Sequence, residues 1–295
     1  DQPSVIGSGP CSPDPMSEAE FLAMLDAYNL RDKVPRELAV ALGLQGSAED
    51  TVLPPHPGDA AFDLVNYSIV ARNQDACRAM VERARAFGIE DITLVEAPLS
   101  GEAETLGHTI ASIAVRSAAN DAREQLIIWG GEPTVSMNVS SHGDFDDSQY
   151  EDEDNDDSFE PELVILGGIR ENRVGDEEEV LAPMGGRMQA LALSAALALE
   201  AEMMRHGRDA DVFRASILAA GTDGRDGPTD ACGAIIDAMS PLAAREHGRD
   251  PIKDLQWFRS YHSLDAAQAL LKTGPTGTNV MDVVAVYIAP VTSND

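Results

Sequence analysis

A chain of 295 residues with 43% hydrophobic side chains has enough apolar material for one large or two ordinary domains with packed cores. Its 51 acidic residues against 21 basic ones give a formal net charge of -30, which excludes nucleic acid and anionic membrane surfaces as default partners, because both would be repelled. Only Lys33, Lys253 and Lys272 are lysines, and so large a carboxylate surplus predicts a halophilic protein whose self-repulsion is screened in molar salt.

The chain opens on DQPSVIGSGPCSPDP, extended and rich in Gly and Pro, which reads as the middle of something longer. Residues Ser17 to Leu30 place Phe21, Leu22, Leu25 and Tyr28 on one helical stripe, with Ser17 and Glu20 at capping-box spacing. After a polar connection to Pro57, LVNYSIVARN (Leu64 to Asn73) is rich in β-branched residues and predicts a strand, and the residues to Gly88 predict a helix. From Asp91 a short strand, a loop through SGEAETLG and a second helix follow. This alternation predicts a βαβ unit in a parallel or mixed sheet.

QLIIWGGEPTVSM (Gln125 to Met137) predicts a strand, a Gly-Gly turn and a strand. The acidic run from Asp144 to Glu160 reads as a solvated loop, since its spacing matches no calcium loop and Gly is missing from its interior. RMQALALSAALALEAEMM, from Arg187, predicts a helix buried on more than one face. ILAA, ending at Ala220, predicts a buried strand. A helix is expected from Thr229 through Asp237, with Thr229 and Asp230 reading as its N-cap or as part of a site. KTGPTGTNVMDVVAVYI, from Lys272, reads as a loop followed by a strand. The longest apolar stretch, Ala190 to Leu199, is too short to span a bilayer. Cys11, Cys77 and Cys232 give neither a disulfide framework nor a metal-ligand spacing, and the six histidines are scattered. A cytoplasmic, soluble protein is expected.

Four Gly-rich turns stand at the ends of apolar elements: GGEPT with Gly130, Gly131, Glu132 and Thr134; GGRMQ with Gly185, Gly186 and Arg187; GTDGRDGPTD with Thr222, Asp223 and Asp226; and TGPTGTN with Gly274, Thr276, Gly277, Thr278 and Asn279. In an open α/β sheet such turns collect at one edge, where ligands bind. Gly lets backbone N–H groups approach an anion, a helix N-terminus adds positive potential, and Thr hydroxyls add donors, so the set suits phosphate. Asp223 and Asp226 are suited to hold Mg²⁺ or to orient a hydroxyl, and Arg187 to neutralise phosphoryl charge. There is no Gly-Lys dipeptide, hence no P-loop, and no G-x-G-x-x-G after a strand.

These turns, with DQPSVIGSGPCSPDP, SGEAETLG, GGEPTVSM, GGRMQALAL, AGTDGRDGPTDACGAIID and TGPTGTNVMD, resemble the glycerate 2-kinase family with its C-terminal MOFRL domain, some of whose members carry the name hydroxypyruvate reductase. The resemblance implies an α/β protein of two domains, each with a parallel or mixed sheet flanked by helices. Residues 1–122 would be the later part of the N-terminal (DUF4147-like) domain and 123–295 the MOFRL domain, with an acidic insertion at about 140–160 and a ligand cleft between the two. It implies phosphorylation of D-glycerate to 2-phosphoglycerate with ATP and Mg²⁺. Arg187 would bind phosphate or the glycerate carboxylate, Asp223 and Asp226 would hold Mg²⁺ or position the hydroxyl, and Gly274 to Asn279 would contact phosphate or substrate, with Glu132 and Thr134 completing the wall. Met188 and Ala190 depart from the family's Asn and Glu after GGR. The resemblance covers the later two thirds of a member and leaves out its VGxGKA segment and lysine. The alternatives are a nicotinamide-dependent hydroxypyruvate reductase and a remnant that binds an anion without turnover. A homodimer is left open.

Overall fold

The computed structural model describes residues 2–44, 55–136, 181–206 and 214–290, which fall into two units, Asp1–Arg72 and Asn73–Asp295. The first holds α1 (Glu18–Ala27) and α2 (Arg36–Ala41). The capping box forms as expected: the Ser17 N–H donates to Glu20 Oε2 at 2.8 Å and the Glu20 N–H to Ser17 Oγ at 3.3 Å. Two donors left open at the helix start are thereby satisfied.

The strand expected at Leu64 to Asn73 does not form. Leu64 and Val70 are 93% and 94% exposed, the segment joins no ladder, and Asn73 already begins α3 (Asn73–Ala86). β-branched residues make a segment compatible with a strand, but a strand exists only when paired. α3 itself closes as read, with Gly88 at φ +93° just beyond it.

The second unit is built on one open sheet. Its strands are β1 (Ile92–Leu94), β2 (Gln125–Gly131), β3 (Ala215–Gly221), β4 (Gly233–Ile236), β5 (Leu270–Leu271) and β6 (Asp282–Ile288), in the spatial order β1-β2-β6-β3-β4-β5. β1 and β2 run parallel and are joined through α4 (Ala103–Asn120), so the βαβ unit exists, one strand later than expected. The other pairings are antiparallel, and β6 inserts between β2 and β3.

Burial alternates over the first residues of β3 and the last of β6, and is continuous where both strands meet the site, at Ala219 to Gly221 and Asp282 to Val284. Ile217, Ala219, Val284, Val286 and Ile288 pack with Ile127 and Trp129 against α4 and α5 (Arg187–His206). On the other face Cys77 of α3 packs with Ile128 and Val283. Three short helices, α6 (Ser240–Glu246), α7 (Pro251–Gln256) and α8 (Ser260–Ala266), follow β4.

α5 is buried on several faces, as its Ala/Leu composition predicts: Met188, Leu191, Leu193, Ala195 and Leu199 are all at or near zero exposure. Gly107 lets it approach α4, since a Cβ there would stand 2.5 Å from the Leu191 carbonyl oxygen, and Ser194 Oγ donates to the Glu104 carbonyl at 2.7 Å beside it.

The helix expected from Thr229 through Asp237 is replaced by β4. Gly233, at φ +156°, lies against the Ala219 backbone, and Ile235 and Ile236 pair with β3. A short apolar run after a Gly is ambiguous by periodicity, and here the free edge of β3 decides it.

The division expected near residue 122 lies inside the second unit, between α4 and β2. The acidic insertion at 140–160 lies outside the described residues. Among those described, no helix is long and apolar enough to cross a membrane, and Cys11, Cys77 and Cys232 are free thiols.

Candidate active site

Strand register brings the site together. Asp282, the first residue of β6, pairs with Gly131 at the end of β2 and with Gly221 at the end of β3. The turns that leave both strands therefore flank one buried carboxylate, and the N-terminus of α5 meets them there. Arg187, the first residue of α5, donates from Nε to Asp282 Oδ2 at 2.6 Å and from Nη2 to Oδ1 at 3.2 Å, a bidentate pair. Its Nη1 stands 2.9 Å from Glu132 Oε1, on a side chain that is more than half exposed. Burial pushes the Asp282 carboxyl up, with Arg187 opposing.

Asp226 has a different task. Its Oδ1 accepts the Met188 N–H at 3.1 Å and its Oδ2 the Gln189 N–H at 2.7 Å, so the carboxyl clasps the first turn of α5. Gln189 closes the clasp from the helix side, donating to the Asp226 carbonyl at 3.2 Å and to Thr229 Oγ1 at 2.9 Å. Gly186 is required here: a Cβ would stand 2.3 Å from Asp226 Oδ1. Burial raises the Asp226 carboxyl to about 6, outweighing the two amide bonds that favour its ionised form.

A cavity of about 670 Å³ opens at this edge. Of the residues expected at the site it is lined by Arg187, Asp223, Asp226, Glu132 and Thr134, with Gly185, Gly186 and Asn279. Asp223 is half-buried and accepts the Arg225 N–H on Oδ1 at 3.0 Å.

Others of the expected set stand away from the cavity and hold its loops. Gly130 packs on Asn73 and Cys77, and Gly131 on the Leu99 backbone, both inside β2 rather than in a turn. Thr222 Oγ1 donates to the Met281 carbonyl at 2.7 Å and accepts the Val280 N–H at 2.9 Å. Thr276 Oγ1 donates to the Thr222 carbonyl at 2.6 Å, so the loop of Gly274, Thr276, Gly277 and Thr278 is folded onto the loop before Asp226. Gly224 permits that contact, its α-carbon facing the Gly274 carbonyl oxygen with no room for a Cβ. Asp230 is no helix cap: it accepts from Tyr261 Oη at 2.7 Å and pairs with Lys272 at 3.1 Å.

Sequence reasoning missed Asp282, Glu104, Arg225 and Phe258, all lining the cavity, and Asn73. Asn73 Nδ2 donates to the Val280 and Asp282 carbonyls at 2.7 and 2.9 Å, fixing the start of β6. The available signal for Asp282 was an acid opening the otherwise apolar strand DVVAVYI.

Five acidic residues, Glu104, Glu132, Asp223, Asp226 and Asp282, line the cavity with two arginines, Arg187 and Arg225. Among the described residues no three acids, histidines or cysteines converge as a metal cage. Both Asp226 oxygens are taken up by α5, which does not fit a metal ligand. Asp223 fits the way Mg²⁺ is commonly held, by one or two carboxylates together with substrate phosphates.

A family profile described as "MOFRL family" matches residues 163–282, and one described as "Domain of unknown function (DUF4147)" matches residues 1–43. The chain is 31% identical over 299 residues to a protein of Pyrococcus horikoshii named glycerate 2-kinase, covering 99% of this chain and 54% of that one. It is 30% identical to a putative hydroxypyruvate reductase of Agrobacterium vitis, covering 98% and 52%. The crystal structure of a glycerate kinase from Thermotoga maritima superposes with a TM-score of 0.61 at 28% identity, covering 98% of this chain and 54% of that one. The chain thus spans about half the length of these relatives, less than the two thirds expected. It carries the MOFRL and DUF4147 family signatures and is homologous, over the part it spans, to the glycerate 2-kinases.

Proposed function

We propose that this chain carries the transfer site of a glycerate 2-kinase, which phosphorylates the 2-hydroxyl of D-glycerate with ATP. One observation carries the reading: Arg187, backed by a buried bidentate carboxylate and set at the start of a 20-residue helix, faces a cavity walled by the Gly-rich turns. Phosphoryl transfer through a loose transition state asks a site mainly to position its reactants and neutralise charge, and both are what Arg187 supplies.

In this reading Arg187 holds the transferring phosphoryl group or the glycerate carboxylate, and Asp282 orients its guanidinium. The 2-oxygen of glycerate forms the new bond to phosphorus as the bond to the leaving diphosphate breaks. The hydroxyl proton passes to a carboxylate of the cavity other than Asp223, which in this reading is kept for the metal. Asp226 positions α5 rather than touching substrate. Mg²⁺ brought by the nucleotide would be held at Asp223 and would offset the negative surplus of the cavity. Thr276 and Thr278 act by folding the loop that ends at Asn279. The free thiols suit the cytoplasm.

Hydroxypyruvate reduction is the second reading, favoured by the name of the Agrobacterium vitis relative. The deciding measurement is phosphorus NMR of the full-length gene product incubated with ATP, Mg²⁺ and D-glycerate in molar KCl. A 2-phosphoglycerate signal is expected. A folded protein that yields no phosphorylated product, yet oxidises a reduced nicotinamide with hydroxypyruvate, would transfer the assignment to the reductase.

A further inference from the structure

The cavity is larger than glycerate needs. At about 670 Å³ it falls within the range of roughly 300–1,000 Å³ that encloses drug-sized ligands, and a three-carbon acid would occupy a corner of it. Its walls are of two kinds. Where β6 meets the start of α5 they are ionic, with Arg187, Asp223 and Asp282. Elsewhere they are apolar, with Pro133 and Val135 after β2, Ala190 on α5, Leu255 on α7 and Phe258 between α7 and α8. Arg187 and Ala190, three residues apart on one helix, share a face, so the ionic and apolar parts are neighbours along α5.

Phe258 supplies the aromatic surface of these walls. Its backbone sits at φ +55°, the left-handed position that ends α7, where the Arg259 N–H donates to the Asp254 carbonyl at 2.6 Å and the Phe258 N–H to the Leu255 carbonyl at 3.2 Å. The Phe258 carbonyl in turn accepts the Met184 N–H at 2.8 Å. Met184 leads directly into Gly185 and Gly186, so the backbone that carries Phe258 is tied to the turn that presents Arg187. Polar residues interrupt the apolar walls, among them Thr134, Ser260 and Glu104.

We infer that the apolar part is a nucleoside slot, taking the base of the phosphoryl donor against Phe258 and directing its polyphosphate to Arg187. A flat heteroaromatic base has two apolar faces for Phe258 and the aliphatic walls, while Ser260 and Glu104 supply partners for base-edge or ribose donors. This rests on the phosphoryl-transfer reading of the same cavity.

The test is titration of the full-length gene product with adenosine, ATP and inorganic tripolyphosphate, read by Trp257 fluorescence and by calorimetry. Adenosine is expected to bind and to compete with ATP. Phe258→Gly removes the ring and keeps the left-handed backbone, and Ala190→Leu fills the slot from α5. Each should weaken adenosine at least about tenfold, the scale of one lost base-stacking contact, while tripolyphosphate affinity stays within about twofold. Failure of adenosine to bind, or unaltered adenosine affinity in both variants, overturns the slot. The outcomes separate the two readings. Glycerate phosphorylation with an unchanged KM for ATP in both variants removes the slot and leaves the kinase. Adenosine binding lost in both variants, in a protein that transfers no phosphate to glycerate, leaves the slot and removes the kinase.

Discussion

Arg187 is held between two acids of opposite character. Asp282 is buried and grips it with both oxygens, whereas Glu132 is exposed and reaches only Nη1. The first pair sets the direction of the guanidinium, and the second stands where an incoming anion would bind. Arg187→Lys is expected to reduce kcat/KM for glycerate phosphorylation by about a hundredfold or more, because an ammonium cannot reproduce the planar fork. A change within about threefold would remove Arg187 from the chemistry. Glu132→Gln should tighten inorganic phosphate or ADP severalfold in a calorimetric titration, since an exposed pair is worth little and its carboxylate competes with the ligand. Weaker binding would mean that Glu132 supports the anion rather than standing in for it. Arg187 and Asp223 were legible in the sequence because Gly-rich turns flank them. Asp282 was not, because its place depends on β6 inserting between β2 and β3, some 150 residues of chain away from β2.

At the scale of elements, α5 is anchored at its first turn by Asp226 and along its length by Gly107 on α4. Asp226 holds its proton more tightly in the folded chain, at about 6 against an ordinary value of 3.8. The stability this group contributes is therefore full below about pH 4 and is lost as the pH rises through about 6, a difference on the order of 2–3 kcal/mol. Asp226→Asn removes that titration while costing a capping bond of about 1 kcal/mol. Urea unfolding from pH 4.5 to 7 should then show wild type losing stability relative to the variant; parallel curves would contradict the buried-carboxyl account. Gly107→Ala is expected to destabilise the protein by about 1–3 kcal/mol, since the added methyl meets the Leu191 carbonyl and the helices must part. A thermal melt matching wild type would show that the helices yield freely. α5 and β6 were legible from composition alone, being unmistakably apolar. β4 was misread as a helix because a short apolar run is ambiguous by periodicity, and Leu64 to Asn73 as a strand because β-branched content does not supply a pairing partner.

For the molecule as a whole, a net charge of -30 opposes compaction. Raising KCl from about 0.1 M to about 1 M shortens the screening length from about 10 Å to about 3 Å and should raise the Tm by several degrees. A flat or falling Tm would argue against adaptation to high salt. The sequence by itself determined the α/β class, the buried character of α5 and the collection of Gly-rich turns around Arg187, because these follow from local composition and from what Gly, Asp and a helix start can do. Only the tertiary structure decided which of those turns reach the cavity and which merely hold its loops, that Asp226 is spent on clasping a helix, and that Asp282 lies beneath Arg187. Those outcomes depend on strand order and register, which bring distant residues together by pairing that no local pattern encodes.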